Sequence, residues 1–524
     1  MEFNPGLTVG IDLGTTYSTI AHLDENGSPI ALLNDEGQDE TPSLILLAES
    51  GHVIVGPNRM RAAMEDPQNI VERIKRHMGK AEFKRTFDGH EITPEFLSAL
   101  ILKKLRQDAE PQVGTIGNAV ITVPYYFNDL KRKATQDAGK IAGLNVVDII
   151  NEPTAATLTY AWKRGELGAA GSNTKPRLVL IYDLGGGTFD VTVVRYTPSH
   201  FQVLSTDGDV ELGGVDFNDR LLNYAADKFQ EKHGIDLRQS PAGVQLLHFE
   251  CDQAKIAMTD KAEVAIPCRH EGKSLSVPIT RDQFENMTAD LLQRTLDTSE
   301  LVLEQAKVKA SDLDAVVLVG GSTLMPAVSR KLEASLKIKP FQGLSPFTSV
   351  AQGAAIHAAI LEAKYRPADD ERTTKLRKLL SGVKQENVNS HGLGVVVRNL
   401  KNNKLRNYVM IPRNSRVPVE VRQTFVTTHD NQQRVNIQVL QGEAPDPDAC
   451  AQIGECRVTG LPEGLPKGSP IEVVYSFDES GRIQVRAEDK TGGRVASTEI
   501  DRPGGLDKTK IDLLSQLAQD YHVE

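Results

Sequence analysis

Residues 182–194 read YDLGGGTFDVTVV, and residues 8–21 read TVGIDLGTTYSTIA. In each, an apolar strand ends in an aspartate (Asp183 or Asp12), a turn of glycine and threonine follows, and a second strand begins. Glycines between two strands cost backbone entropy and give up side-chain packing. What they supply is a backbone that approaches an anion closely, with successive N–H groups aimed at it. Gly14, Thr15 and Thr16 form one such turn, and Gly185, Gly186, Gly187 and Thr188 the other. Two such hairpins facing each other would grip a polyphosphate from both sides. Asp12 and Asp183 would then stand beside the phosphates, which makes electrostatic sense only with a hard cation such as Mg²⁺, held through water. The chain has no G-x-x-x-x-G-K-[ST] run, so this is not a P-loop. A third turn, LVGGSTLMP at 318–326, ends a strand at Gly320 and Gly321; it is a candidate for holding a nucleoside, with Ser322 expected to cap the next helix.

The elements that must position these turns alternate strand and helix. AVITVP (119–124) precedes a helix from Asp129, and AVVLVGG (315–321) precedes one from Met325, which is α/β grammar over residues 1–366. The two similar hairpins point to a duplicated half. Residues 367–390 read as a polar linker, or a linker plus one short helix: eleven Lys and Arg against four Asp and Glu lie between 364 and 406, and the strand signal fades. Residues 391–503 read as all-β. IEVVYSFDESGRIQVRAED (471–489) alternates on both sides of an Asp-Glu-Ser-Gly turn, and RVNIQVLQGE (434–443) alternates too. Residues 504–524, after Gly504 and Gly505, carry Ile511, Leu514, Leu517, Ala518 and Tyr521 at helical spacing.

A chain of 524 residues exceeds one ordinary core, so two or more domains are expected. Its net charge of −10 argues against a nucleic-acid partner. No apolar run reaches the roughly 18 residues of a membrane span, and MEFNPGLTVGIDLG lacks the pattern of a secretory signal. Four cysteines, Cys251, Cys268, Cys450 and Cys456, match no zinc spacing and fit a reducing cytoplasm. Cys450 and Cys456 could pair, but that is not the expectation.

The three glycine motifs together resemble the actin-like ATPase superfamily, and within it the DnaK-like, seventy-kilodalton heat-shock chaperones. Further stretches carry the resemblance: 119–144, INEPTAATLTYA at 150–161, ELGGVDFNDRL at 211–221, and 410–443 in the β region. The resemblance covers nearly the whole chain. It implies an actin-like nucleotide-binding domain of two lobes, a β-sandwich that binds peptides, and a C-terminal helix that begins a lid. It implies ATP hydrolysis with Mg²⁺, and K⁺ as a further cation. Lys75 matches the catalytic lysine. Glu152, Asp183, Thr188 and Asp190 match the residues around the attacking water and metal. Gly213, Gly214 and Lys255, with Gly320, Gly321 and Ser322, match the family's nucleotide contacts. Pro124 and Arg132 match positions that pass the nucleotide state onward. Val395, Phe425, Val426, Val435, Ile437 and Ile471 fall on the peptide channel. The implied partners are unfolded or extended polypeptides, a J-domain cochaperone and a nucleotide-exchange factor. From the residues alone, Lys75 reads as a surface lysine, Arg132 as an exposed arginine, and the Val and Ile positions as ordinary β core.

The sequence departs from that family in several places. Leu324 replaces an arginine that stacks on adenine, and Phe347 replaces an acid nearby; binding of ATP should survive, weakened on the order of 1 kcal/mol by the lost stacking. In LLSGVKQENV (379–388), Leu379 and Leu380 stand in for a leucine-rich linker, but Lys384, Gln385 and Glu386 resist burial, so coupling between the domains is in question. Asp148 stands where a basic residue helps bind the J-domain. Arg398 falls near a residue that arches over the peptide. Residues 79–92 are shorter than their equivalent, and most of the lid is missing, which should speed peptide release.

Overall fold

The computed structural model describes residues 2–48, 51–56, 66–80, 83, 85–125, 127–168, 175–367, 371–380, 382–386, 388–399, 403–478, 483–500 and 506–524. Two mixed sheets use the same connection. In the first, Leu7–Asp12 pairs antiparallel with Tyr17–Leu23 and parallel with Ile116–Val123, which is followed by Asn145–Asn151. In the second, Arg177–Leu184 pairs antiparallel with Phe189–Thr197 and parallel with Ala315–Val319, and His200–Asp209 extends the other side. The strands ending in Asp12 and Asp183 therefore hold equivalent places.

The helices Glu152–Lys163 and Ser349–Tyr365 share one apolar cluster with residues of both sheets, including Val120 from the first and Ile181 and Val317 from the second. They cross closely, because a Cβ on Gly353 would collide with the Ala155 carbonyl. A second helical layer covers the first sheet, where Pro94–Val113 and Asp129–Ile141 bury Phe96, Leu100, Ile101 and Ala138 against Val9, Ile11 and Ile121. On the second sheet Gly214–His233, Pro241–Ala257 and Ala289–Ala306 bury Phe217, Phe229, Cys251 and Leu296.

The alternation expected in the β region forms two four-stranded antiparallel sheets. One runs Leu405–Ile411, Leu393–Arg398, Arg434–Gln441, Ala451–Thr459; the other runs Val419–Val426, Pro470–Phe477, Ile483–Asp489, Val495–Ile500. Their inner faces share one core, and Tyr475 Oη reaches across to donate to the Gly394 carbonyl at 3.0 Å. The Asp-Glu-Ser-Gly turn beyond Asp478, and Gly504 and Gly505, fall outside the described residues. All four cysteines are free.

Two segments carry structure that the sequence pattern did not show. The linker docks on the second sheet. Residues Glu371–Leu380 form a helix that buries Leu376 and Leu380, while Leu379 stays 54% exposed. Then Lys384–Glu386 adds a fifth strand to the second sheet, parallel to His200–Gln202. The strand docks through its backbone, and its side chains find polar partners, so no charge has to enter an apolar core. Lys384 is exposed, and Glu386 pairs with His200 at 3.1 Å and with Gln202 at 3.2 Å. The apolar flanks Val383 and Val388 are buried.

The C-terminal helix, Lys508–Asp520, is capped by Asp507, and it leaves the sandwich for the first sheet's helices. Leu514, Ala518, Tyr521 and Val523 join that core, and Tyr521 stacks on Phe87 at 5.7 Å. His522–Val523 then pairs with the strand His52–Val55. No helix among the described residues is long and apolar enough to cross a membrane.

Candidate functional site

The two glycine turns meet. A Cβ on Gly186 would fall on Thr16 Oγ1, and one on Gly187 would come within 2.6 Å of Thr15 Oγ1. Residues 14–16 and 185–188 therefore lie face to face at a spacing that only glycine permits. Each turn is braced from behind. Gly14 N–H donates to Ser18 Oγ at 3.1 Å, and Ser18 Oγ lies 2.8 Å from Ser43 Oγ. Gly185 N–H donates to the Thr188 carbonyl, and the N–H groups of Gly214 and Val215 donate to the carbonyls of Gly185 and Gly186. This places the start of the helix Gly214–His233 against the second turn, with the Gly213 N–H held by Asp216 Oδ2 at 2.7 Å.

The third motif joins the same corner, though not as a helix cap. The helix after it begins at Pro326 with no side-chain cap, because a 3-10 turn, Gly321–Leu324, intervenes. Ser322 Oγ donates instead to the Gly185 carbonyl at 2.9 Å. Lys255 Nζ lies 3.3 Å from the Gly214 carbonyl and 3.2 Å from Asp252. A Cβ on Gly214 would lie 3.0 Å from Lys255 Nζ, and one on Gly321 would lie 2.5 Å from the Phe347 ring. Leu324 and Phe347 are both exposed on this side. Gly320 sits in the left-handed region, where its carbonyl neighbour Leu184 leaves no room for a side chain.

Below the turns lies a buried charge cluster. Lys75 is in a 3-10 turn, Ile74–His77, which follows Arg73 in the left-handed region. Its Nζ is 2.6 Å from Glu152 Oε1, and both residues are 5% exposed. The surface reading of Lys75 is thereby overturned: the main chain turns it inward to meet an acid far off in sequence. Glu152 opens the helix Glu152–Lys163, where an acid is favoured. Asp12 accepts a hydrogen bond from Thr122 Oγ1 at 2.8 Å. Asp183 and Asp190 are register partners across the second hairpin. Asp190 Oδ2 accepts from the Tyr125 N–H at 3.1 Å, whereas its Oδ1 is buried without a partner among the described residues.

Four carboxylates thus surround one ammonium. Burial pushes Glu152 up to about 7, with Asp12 adding to the rise and Lys75 opposing it. Burial, then Glu152, Asp190 and Asp12, hold Asp183 well above the usual carboxylate range; Asp190 is raised well above it by burial and Glu152. Burial also raises Asp12, against Lys75 and Thr122. Burial alone would lower Lys75, but Glu152, Asp12 and Asp183 outweigh it, so the ammonium keeps its proton. A cluster with this excess of acid accepts a divalent cation favourably. Among the described residues no group of three or more His, Cys, Asp or Glu is placed to hold a metal directly.

Two contributors were missed in the sequence. Arg76 donates to the Gly187 carbonyl from Nε at 2.9 Å and pairs with Asp216 at 2.6 Å, tying the Lys75 turn to the second glycine turn. Nothing beside Lys75 in IKRH marked it. Thr122 left a signal, a hydroxyl inside the apolar run AVITVP. Pro124 is buried, and Arg132 is half-buried rather than exposed: it donates to the carbonyls of Tyr125 and Phe127 at 3.0 Å and to Asn151. In the sandwich, Val395, Ile437 and Ile471 lie in the core, Phe425 and Val435 are half-buried with Phe425 against Tyr408, and Val426 is exposed. Arg398 bonds Asn403.

The family model for Hsp70 protein matches residues 8–88 and 80–524. The chain belongs to the Hsp70 family. Members of that family are nucleotide-binding ATPases that act as ATP-dependent chaperones, use ATP or ADP with Mg²⁺, and bind unfolded clients and cochaperones.

Proposed function

We propose that this chain binds ATP or ADP, with Mg²⁺ and K⁺, between two actin-like lobes in residues 1–366, and hydrolyses ATP there. The observation that carries the reading is the pair of interlocked glycine turns above the buried Lys75–Glu152 pair. Backbone N–H groups of Thr15, Thr16, Gly186, Gly187 and Thr188, in the turns 14–16 and 185–188, would hold the phosphates, and Gly213, Gly214, Lys255, Gly320, Gly321 and Ser322 the nucleoside side. Asp12 and Asp183 would hold hydrated Mg²⁺, which supplies charge neutralisation on the phosphate oxygens. Lys75 places a cation where charge grows in phosphoryl transfer. Glu152 and Asp190 orient the attacking water, and Thr188 adds a hydroxyl beside it.

The sandwich, residues 391–503, is the proposed site for extended apolar segments of unfolded proteins in the cytoplasm. Backbone pairing would give affinity, and a pocket at Val435 preference. Nucleotide state would set peptide affinity through the docked linker and Pro124 and Arg132, with a J-domain cochaperone and an exchange factor as partners. A second reading, a nucleotide-binding scaffold with weak or uncoupled ATPase, is favoured by one observation. The C-terminal helix and strand tie the end of the chain into the first sheet's core, which restrains the motion that coupling requires.

Steady-state ATP turnover, with and without saturating unfolded protein, separates these readings. Stimulation supports the coupled chaperone. Turnover indifferent to unfolded protein supports the scaffold, and no nucleotide binding at all sinks both. Val435→Phe should weaken peptide binding in the coupled case; unchanged affinity would place the channel elsewhere.

A further inference from the structure

Asp148 lies outside the nucleotide site, and nothing in that site uses it. It lies on the edge strand Asn145–Asn151 of the first sheet. Its Oδ2 is 2.8 Å from His357 Nε2. His357 is buried on the helix Ser349–Tyr365, between the two sheets. The other ring nitrogen, Nδ1, is 2.9 Å from Gln385 Nε2. Gln385 is the middle residue of the linker strand and the register partner of Phe201 in the second sheet.

An amide nitrogen donates and does not accept. His357 Nδ1 is therefore the acceptor, and the ring proton sits on Nε2, where the Asp148 carboxylate receives it. The chain of hydrogen bonds runs in one direction, from Gln385 to His357 to Asp148. Its three members come from the linker, the inter-sheet helix and the first sheet, while the linker strand itself belongs to the second sheet.

We propose that Asp148 and His357 are positioning residues that hold the linker strand docked by fixing the ring nitrogen that accepts from Gln385. The linker strand has only three residues, all polar, so it buries little apolar surface of its own. Its backbone anchor at that end is the Lys384 N–H to the Ser199 carbonyl, 2.8 Å. A short polar edge strand needs a specific polar partner to fix its register, and His357 supplies one. Asp148 acts through the ring: a carboxylate on Nε2 fixes the tautomer that leaves Nδ1 free to accept. Without Asp148 the ring loses that orientation, and the Gln385 amide loses its acceptor. The clasp replaces with hydrogen bonds what an apolar linker would obtain by burying leucines, and it turns the Asp148 charge inward to His357.

Hydrogen exchange by mass spectrometry, on the full chain without nucleotide, tests this separately from any ATPase activity. His357→Ala and Asp148→Ala should each raise exchange across residues 383–388 about tenfold, the worth of one net hydrogen bond. Exchange in Phe189–Thr197 should stay unchanged. His357→Gln should restore most of the protection, because its amide can both accept from Gln385 and donate to Asp148. Gln385→Leu, on the sheet edge where global folding is not at risk, should match His357→Ala, and the double variant should be no worse than either single one. Unchanged exchange in His357→Ala or Gln385→Leu would overturn the proposal. So would a His357→Gln variant as exposed as His357→Ala, or additive effects in the double variant.

Discussion

Glutamine at position 152 separates the hydrogen bond that Glu152 makes from the charge that it carries. The side-chain oxygen that accepts from Lys75 Nζ at 2.6 Å survives the change, but the titration does not. Burial holds the Glu152 carboxyl at about 7, against an ordinary 4.5. The gap is equivalent to ~3 kcal/mol, and its sign follows from where the proton goes. Below pH 4.5 the carboxyl is neutral in both the folded and the unfolded chain, so its ionisation costs nothing. Between 4.5 and about 7 the unfolded chain releases the proton first, so stability falls as pH rises. Above about 7 the full penalty is present. Glu152→Gln removes it, while Lys75 loses one of four carboxylate neighbours and keeps Asp12, Asp183 and Asp190. The variant should therefore be ~1–3 kcal/mol more stable than the natural chain at pH 8, with the advantage below ~1 kcal/mol at pH 5. ATP turnover should fall by ~10²–10⁴, the range for losing a proton-handling group. Urea unfolding at both pH values, with turnover measured alongside, reads all three quantities. A variant less stable at pH 8, or one with the same advantage at both pH values, would refute the electrostatic argument. Unchanged turnover would remove Glu152 from the chemistry.

Lys75→Ala leaves the carboxylates uncompensated, so turnover should vanish while nucleotide still binds by calorimetry. The same variant should melt lower than the natural chain at pH 8 and recover at pH 5, as the carboxyls take up protons; unchanged hydrolysis would exclude Lys75 from the mechanism. Gly187→Ala puts a methyl group within 2.6 Å of Thr15 Oγ1, which must spread the two turns; nucleotide Kd should rise about tenfold or more for the loss of one aligned donor set, and an unchanged Kd would mean the turns do not hold phosphate. Burial, followed by Arg132, Lys131 and Arg413, pushes His391 down to about 4. The unfolded chain then binds the proton first as pH drops from 6.5 to 4, so stability is lost over that window; His391→Asn should flatten the loss in thermal melts between pH 7 and 4.5.

Much of the site was legible because its grammar is local. An aspartate at a strand end, a glycine turn and a second strand are written within a dozen residues, and the same text occurs twice. The sandwich was legible for a similar reason, since alternation along a strand records which side is buried. Lys75 was not legible from its own neighbours: its burial depends on a left-handed turn at Arg73 and an acid 77 positions away. Ser322 was read as a cap because its spacing allows one, but the 3-10 turn re-aimed it at Gly185. The linker strand and the final strand, three and two residues long, are too short to carry a period, and both are held by backbone pairing to distant strands. The sequence by itself determined which segments can turn, pleat and coil, and therefore which residues can line a phosphate turn. Only the tertiary structure decided which charges share a low-dielectric space and where the polar linker docks. Coulomb and hydrogen-bond energies depend on distance and burial in three dimensions, and a one-dimensional pattern does not contain either.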